Sequence, residues 1–184
     1  MGRPLSFLPT LKNIPRAGWL QAGIGLGKVE SVSEHSFDVA SMAMVFCDVL
    51  KGKGRILDYK RTLKAAILHD WAEVIIMDQP RSVKELIEEP KSIKRAERKA
   101  LDGMLKKMPA LRSEYLALWD LAHSDTDEGN LVKLADLYSM YLQAKMYIAS
   151  GSRDKRTKEI LASAKEGIKK RLALFPELKP LVRL

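Results

Sequence analysis

Apolar residues recur every three or four positions along most of the chain, and no run of alternating apolar and polar residues favours a strand. This periodicity predicts an all-α fold, a bundle of about six to eight helices. The predicted helices cover about residues 4–13, 31–50, 58–69, 90–107, 111–123, 128–149 and 154–174. Since no linker is long enough to separate two units, we expect a single domain over 1–184, with a core of about 11–151 and a basic C-terminal helix of about 154–174 packed alongside.

Helix-start signals support two of these boundaries. Ser31 and Glu34 have the spacing of a capping box, in which each side chain bonds the backbone of the other residue. Asp58 is a suitable N-cap for the helix that follows it. Glycines predict a loop over 18–27, and the stretch 77–80 ends the helical segment before it.

Composition restricts where the protein works and what it binds. A single cysteine, Cys47, excludes an internal disulfide. The longest uncharged apolar stretch, residues 39–47, is too short to cross a bilayer. We therefore expect a cytoplasmic protein with no membrane partner. The net charge of +9 indicates an anionic ligand or, alternatively, a solvated basic helix face.

The chain has three histidines, and two of them have adequate structural interpretations when taken alone. His35 lies in the first turn of a predicted helix, on the apolar stripe that Val39 and Phe46 continue. A single histidine on such a stripe is more often a hydrogen-bonded core residue than a metal ligand. His123 ends another helix beside Ser124, and we interpret it as an exposed histidine that interacts with the helix dipole.

The third histidine changes this interpretation because it is accompanied by buried acids. His69-Asp70 follows an apolar run in which Asp70 is in line with Ile67, and Asp136 lies within another apolar helix. A buried carboxylate needs a cation nearby. That cation is either an Arg or Lys in a structural ion pair or a metal ion. One metal would satisfy all these groups, and a mixed nitrogen and oxygen set suits Mn, Fe, Co, Ni or Zn.

The order His35, His69-Asp70 and Asp136 resembles the H…HD…D pattern of the HD-domain metal-dependent phosphohydrolases. The local contexts of these residues are similar to the 5′-deoxynucleotidase branch, and Pro-Arg-x-Gly-Trp at 15–19 is similar to its eukaryotic and archaeal members. The resemblance covers about residues 11–151. It implies an HD-domain helical bundle that uses one divalent transition metal to remove the 5′-phosphate from deoxynucleoside 5′-monophosphates.

The resemblance also implies roles for individual residues. It gives the four metal-ligand positions to His35, His69, Asp70 and Asp136. Glu73 matches the acid that orients or deprotonates the attacking water, Asp78 matches a second catalytic acid, and the roles of these two can be exchanged. Arg16 matches a phosphate-binding residue. The spacing agrees for Glu73, since a helix that continues past His69 would place both residues on one face.

Two further substrate contacts rest on position along the chain. Trp19 is a candidate to pack on the sugar or base, and alternatively a hydrophobic plug beneath the Gly-rich loop. Lys133, one turn before Asp136, is a candidate for the phosphate and alternatively a solvated lysine. The chain departs from the family pattern at Met77, where relatives usually have Gly, and at Arg81, where some bacterial members have Thr near the substrate.

Three functions stay open from the sequence. The first is hydrolysis of a small nucleotide substrate, and the second is hydrolysis of another small phosphoester or a polyphosphate. The third is a basic nucleic-acid-binding protein with a structural metal, which would have no need for Glu73 and Asp78 beside that metal. We expect no nucleic-acid partner, and a homodimer because relatives are often dimers.

Overall fold

The structure, a computed structural model, describes residues 5–87 and 89–184. The predicted helix start at Pro4 and the remaining positions of the expected single domain, 1–3 and 88, lie outside these ranges. The described residues form nine α-helices: α1 Ala17–Gln21, α2 Val32–Gly52, α3 Tyr59–Leu68, α4 Glu73–Ile76, α5 Arg81–Leu86, α6 Pro90–Leu105, α7 Pro109–Ala122, α8 Asp127–Ala149 and α9 Lys155–Leu172. Short 3-10 helices, Leu8–Asn13 and Pro176–Leu178, flank them. The predicted all-α fold is confirmed.

The number of helices exceeds the expected six to eight because the chain forms three short helices that the sequence does not predict as separate elements. Helices α1, α4 and α5 have 5, 4 and 6 residues, too few for an apolar period to be recognised. Gly18 is therefore helical rather than part of the Gly-rich loop. The loop begins after α1, where Gly23 has a φ of +77° that favours glycine.

The two predicted helix starts are confirmed. Ser31 accepts a hydrogen bond from the Glu34 N–H while the Glu34 side chain accepts one from the Ser31 N–H, which completes the capping box of α2. Asp58 caps α3 by accepting the Arg61 N–H at 3.0 Å. These caps satisfy backbone donors that have no partner within the helix.

Helix α3 ends at Leu68 rather than continuing through His69. In the next turn the backbone hydrogen bonds reach three residues back, from Trp71 to Leu68 at 3.1 Å and from Glu73 to Asp70 at 3.0 Å. This tighter 3-10 path takes three residues per turn. The prediction that one continuous helix carries His69 and Glu73 is therefore wrong.

The predicted inward face of α3 is also partly wrong. Ile67 is 44% exposed. The face that packs in the core is made by Thr62, Ala65, Ala66 and Leu68. Asp70 nevertheless points inward, because the turn after α3 redirects the chain.

The largest apolar core lies where α2, α3, α8 and α9 meet. Phe46 of α2 and Leu134 of α8 belong to it, and so do Ile168 and Leu172 of α9. The C-terminal helix is thus part of the core rather than an addition beside it. Within the described residues, no helix has the length and apolar character needed to cross a membrane.

Candidate metal centre and cleft

Three helices that contact one another bring the predicted metal-ligand positions together. His35 of α2, His69 after α3 and Asp136 of α8 are buried, and each offers one ligand atom within 4.8 Å of the others. His35 Nε2 lies 3.2 Å from Asp136 Oδ1. Asp70 Oδ2 lies 3.1 Å from Nε2 of His69 and 3.7 Å from Nε2 of His35. Asp70 therefore lies against both imidazole rings, beside the cluster that His35, His69 and Asp136 form.

The two imidazole rings are oriented by bonds through their Nδ1 atoms. His69 Nδ1–H donates to the Ala66 carbonyl at 2.7 Å, and His35 Nδ1 lies 3.3 Å from the Ser139 hydroxyl. Because a carbonyl only accepts, the neutral His69 ring keeps its lone pair on Nε2. Both Nε2 atoms are buried and have no hydrogen-bond partner in the described part of the chain. This is the arrangement that metal-binding histidines show, so the donor set fits a divalent transition metal.

Electrostatics also favour a cation between the rings. Burial would raise the pKa of Asp70, but the charges of His69 and Arg16 hold it well below its usual range. The pKa of Asp136 is also held low against burial, chiefly by Lys133. Burial would lower the pKa of His69, but the neighbouring Asp70 raises it. The carboxylates stay ionised at neutral pH, and their field stabilises a proton or a metal ion.

Arg16 lies beside this cluster, at the start of α1. Its Nη1 is 3.2 Å from Asp70 Oδ2 and 3.6 Å from Asp78 Oδ1, while Asp78 Oδ2 accepts the Ala17 N–H at 2.5 Å. Burial would lower the pKa of Arg16, but Asp78 and Asp70 raise it. An isolated antiparallel bridge between Pro15 and Ser31 ties this segment to the start of α2. A bridge of one residue pair is too short to produce a recognisable pattern in the sequence.

Glu73 is buried at the start of α4 and lines the same cleft as His69 and Asp70. Its charge contributes to the raised pKa of Arg16, which places its carboxylate within electrostatic reach of the guanidinium. The structure thus brings Glu73, Asp78 and Arg16 to the metal centre by a turn and a short helix rather than by one long helix.

The two residues that were candidates for substrate contacts by their position in the sequence, Lys133 and Trp19, differ in their exposure to the cleft. Lys133 lines the cleft with a 46% exposed side chain, and its Nζ lies 2.5 Å from Asp136 Oδ2. Trp19 borders the cleft but is only 2% exposed, and it packs with Tyr147 and Ile24. This burial favours the alternative of a hydrophobic plug over a contact with the sugar or base.

His123 is half-buried rather than exposed. Its ring packs on Trp119 with 4.1 Å between the ring centroids, and its Nδ1–H donates to the Trp119 carbonyl at 2.8 Å. Burial lowers the pKa of His123 to about 4. Trp119 also donates its indole N–H to the His69 carbonyl at 3.1 Å, so it supports the backbone of a metal-ligand position.

The cleft above the metal centre has a volume of about 940 Å³ and extends to helix α9. Sequence reasoning predicted this helix but missed its place in the cleft, because the family resemblance ends near residue 151. Arg156, Ile160, Ser163 and Arg171 of α9 line the cleft. One available signal is the run of small residues at 162–164 within an otherwise charged helix, which is typical of close packing against a neighbour.

Fold and site together define an all-α protein with a buried cluster of histidine and aspartate side chains that can hold a metal ion. The model of the HD domain family matches residues 8–177. The chain therefore belongs to the HD domain family. This agrees with the histidine and aspartate order found in the sequence.

Individual relatives carry more specific names. The chain is 34% identical to 5′-deoxynucleotidase HDDC2 of Xenopus laevis over 139 residues. This stretch covers 74% of this chain and 64% of that protein. The human protein of the same name is 33% identical over 146 residues, with 78% of this chain and 66% of that protein covered. The chain thus spans just under two thirds of the length of these relatives.

Solved structures agree with the fold. A conserved hypothetical protein of Pyrococcus furiosus has a TM-score of 0.81 and 35% identity, with 97% of this chain and 95% of that chain covered. An HD-domain phosphohydrolase of Listeria innocua has a TM-score of 0.68 at 21% identity, with 94% and 85% covered. The second likeness supports the fold alone.

Proposed function

We propose that this protein is a divalent-metal-dependent phosphomonoesterase that removes the 5′-phosphate from deoxynucleoside 5′-monophosphates. The observation that carries the proposal is the pair of buried imidazole nitrogens without hydrogen-bond partners among the described residues, beside the Asp136 carboxylate. His69 and Asp136 border a cleft that is also lined by Arg16, Glu73 and Asp78. The names of the relatives support hydrolysis of a deoxynucleotide.

The proposed division of labour follows from the positions of the side chains. A divalent metal held by His35, His69, Asp70 and Asp136 would supply Lewis-acid activation of water and of a phosphate oxygen. Glu73 orients the attacking water or accepts its proton, and Asp78 protonates the leaving 5′-oxygen. These two roles can be exchanged, because both acids line the cleft.

Arg16 is the proposed phosphate-binding residue. Its guanidinium lies between Asp70 and Asp78, so it is positioned between a metal-ligand carboxylate and the second acid. A fixed cation at this place stabilises charge that develops on the transferred phosphoryl group. Lys133 is a second candidate cation, because its ammonium is partly exposed in the cleft.

The decisive experiment measures phosphate release from deoxynucleoside monophosphates, their ribo forms, nucleoside polyphosphates and simple phosphoesters, with Mn, Fe, Co, Ni and Zn added in turn. We expect the highest kcat/KM with a deoxynucleoside 5′-monophosphate. The chelated protein and the Asp136→Ala variant serve as inactive controls. A preference for another phosphoester or a polyphosphate would reject the substrate assignment, and no phosphate release with any metal would reject the hydrolase.

We also propose the metal content, the cellular location and the oligomeric state of the enzyme. We expect one divalent transition metal per chain, a location in the cytoplasm, and a homodimer. Exposed apolar side chains on α2 and α3 support self-association, since Phe37, Met44 and Ile67 are 72%, 49% and 44% exposed. Light scattering after size-exclusion chromatography tests the dimer, and Phe37→Asp should yield monomers.

A further inference from the structure

Beyond the metal centre, the cleft follows the antiparallel pair α8 and α9. Two contacts fix their register. A Cβ at Gly167 would lie 2.8 Å from Leu137 Cδ1, and Ile160 packs against the apolar cluster that contains Ala144 and Tyr147. Both contacts fit the same antiparallel alignment, which places Met140 opposite the small residues of α9.

The floor of this part of the cleft is apolar and incompletely covered. Leu137, Met140 and Ile160 are half-buried, and all three line the cleft together with Ala164. Leu137 directly follows the metal-ligand position Asp136. Met140 lies four residues after Asp136, about 6 Å along the helix at the usual rise per residue. An apolar strip thus begins at the metal centre and leads away from it.

The rim of the same region is polar and joins three helices. Arg81 of α5 donates a hydrogen bond to the Ser163 hydroxyl of α9. Ser82 of α5 donates to the Gln21 side chain at 2.8 Å, and Arg156 of α9 donates to the Gln21 carbonyl at 2.6 Å. All five residues are exposed, so water or a ligand can replace these bonds.

We propose that this region is a nucleobase subsite, with Ser163 as a specificity-determining residue. A base has two apolar faces and a polar edge, which matches an apolar floor beneath a rim of hydroxyl, amide and guanidinium groups. The sugar of a nucleotide separates base and phosphorus by several bonds, so a phosphate at the metal centre places the base over Met140 and Ile160. The inference rests on the proposed function and extends it to α9.

The test compares two substrates that differ only in the base. A deoxynucleoside 5′-monophosphate and 2-deoxyribose 5-phosphate share the phosphate and the sugar. Ser163→Phe fills the subsite with a ring, and we expect it to raise KM for the nucleotide about tenfold or more, the scale on which a filled pocket discriminates. The kcat/KM for 2-deoxyribose 5-phosphate should stay unchanged. Ser163→Leu is a smaller second variant in case the phenyl ring impairs folding.

Ala162 supplies the matched control. It is an exposed neighbour of Ser163 on α9 and is not among the described residues that line the cleft. Ala162→Phe adds the same ring about 100° around the helix axis, outside the cleft lining, and should leave the activity on both substrates unchanged. The subsite would be overturned if Ser163→Phe lowered kcat/KM equally for both substrates, or lowered it for neither.

A binding measurement separates the failure of this inference from failure of the proposed function. Calorimetric titration with a free deoxynucleoside needs no turnover. We expect binding by the wild type and by Ala162→Phe, and loss of binding in Ser163→Phe. Binding without hydrolysis of any nucleotide would reject the proposed reaction and leave the subsite standing, whereas no binding by the wild type would reject the subsite.

Discussion

The indole N–H of Trp19 donates a hydrogen bond to Oε1 of Glu30 over 2.6 Å, and both side chains are buried. The backbone of Glu30 is bonded in turn, since its carbonyl accepts the Arg16 N–H at 3.0 Å and its N–H donates to the Tyr147 hydroxyl at 2.9 Å. Burial raises the pKa of the Glu30 carboxyl. The pair therefore fastens the segment that carries Arg16 to the core.

This pairing predicts that Trp19 contributes to stability rather than to selection between sugars. Trp19→Ala should lower the free energy of unfolding by about 3–5 kcal/mol, the usual loss for a large buried aromatic residue. Trp19→Phe, which keeps most of the packing, should fold and retain the wild-type ratio of activities on deoxy and ribo substrates. Urea unfolding and paired kinetic assays measure the two effects. A shifted ratio in well-folded Trp19→Phe would restore the indole as a substrate contact.

The metal centre makes a prediction that is independent of substrate. Purified protein should hold about one divalent transition metal per chain, and His69→Ala and Asp136→Ala should lose it because each removes a ligand atom from the cluster. His123→Ala is the matched control, since His123 lines the same cleft but lies outside the cluster. Elemental analysis by mass spectrometry gives the metal content. Metal retained in both ligand variants would show that the site is wrongly assigned.

Glu73 should act on the reaction and not on metal content. Glu73→Gln keeps the size of the side chain, and we expect a loss of kcat of about 10²- to 10⁴-fold, the typical contribution of a general acid or base. Glu85→Gln is the control, because Glu85 borders the cleft on α5 with a 60% exposed side chain. Near-normal turnover of Glu73→Gln with full metal content would remove Glu73 from the mechanism.

The long helices were predictable because each has a strong local signal, and the candidate metal-ligand residues stand out in the sequence for a similar reason. A capping box at Ser31 and apolar stripes mark the helices, and an acid within an apolar segment marks Asp136. Burying such an acid costs so much free energy that it implies a cation, whatever the family. These features lie in the local sequence, so no knowledge of the packing was needed.

The shape of the cleft was not predictable for the opposite reason. The position of Arg16 depends on a bridge to Ser31, and that of Glu73 depends on a switch to 3-10 hydrogen bonds after Leu68. The burial of Trp19 depends on Tyr147, which is distant in sequence. Contacts between distant segments leave little trace in the local sequence. The arrangement of the residues around the cleft could therefore be described only from the structure.

His123 predicts a specific dependence of stability on pH. Burial lowers its pKa from 6.5 to about 4, so between these values the unfolded chain binds a proton that the folded chain does not. The contribution of neutral, buried His123 to the free energy of unfolding is therefore complete above pH 6.5. It is lost as the pH falls towards 4, and its upper limit is about 3 kcal/mol. Unfolding free energies of chelated wild type and His123→Gln should therefore converge or cross as the pH falls. A constant difference from pH 4 to 7 would contradict the predicted linkage.

Met77 makes the last prediction, because it holds a backbone conformation that side chains disfavour. Its φ of +62° and ψ of +166° lie in a region that is almost confined to glycine, directly before Asp78. This is also a position where family members usually have Gly. At an ordinary exposed position Gly is less stable than Ala by about 0.5–1 kcal/mol, because the unfolded chain has more freedom. Here the order should invert, with Met77→Gly more stable than Met77→Ala by about 1 kcal/mol or more. Urea unfolding of the two variants measures the difference directly, and Met77→Ala controls for loss of the half-exposed side chain. If Met77→Ala is the more stable variant, the backbone at this position is not strained.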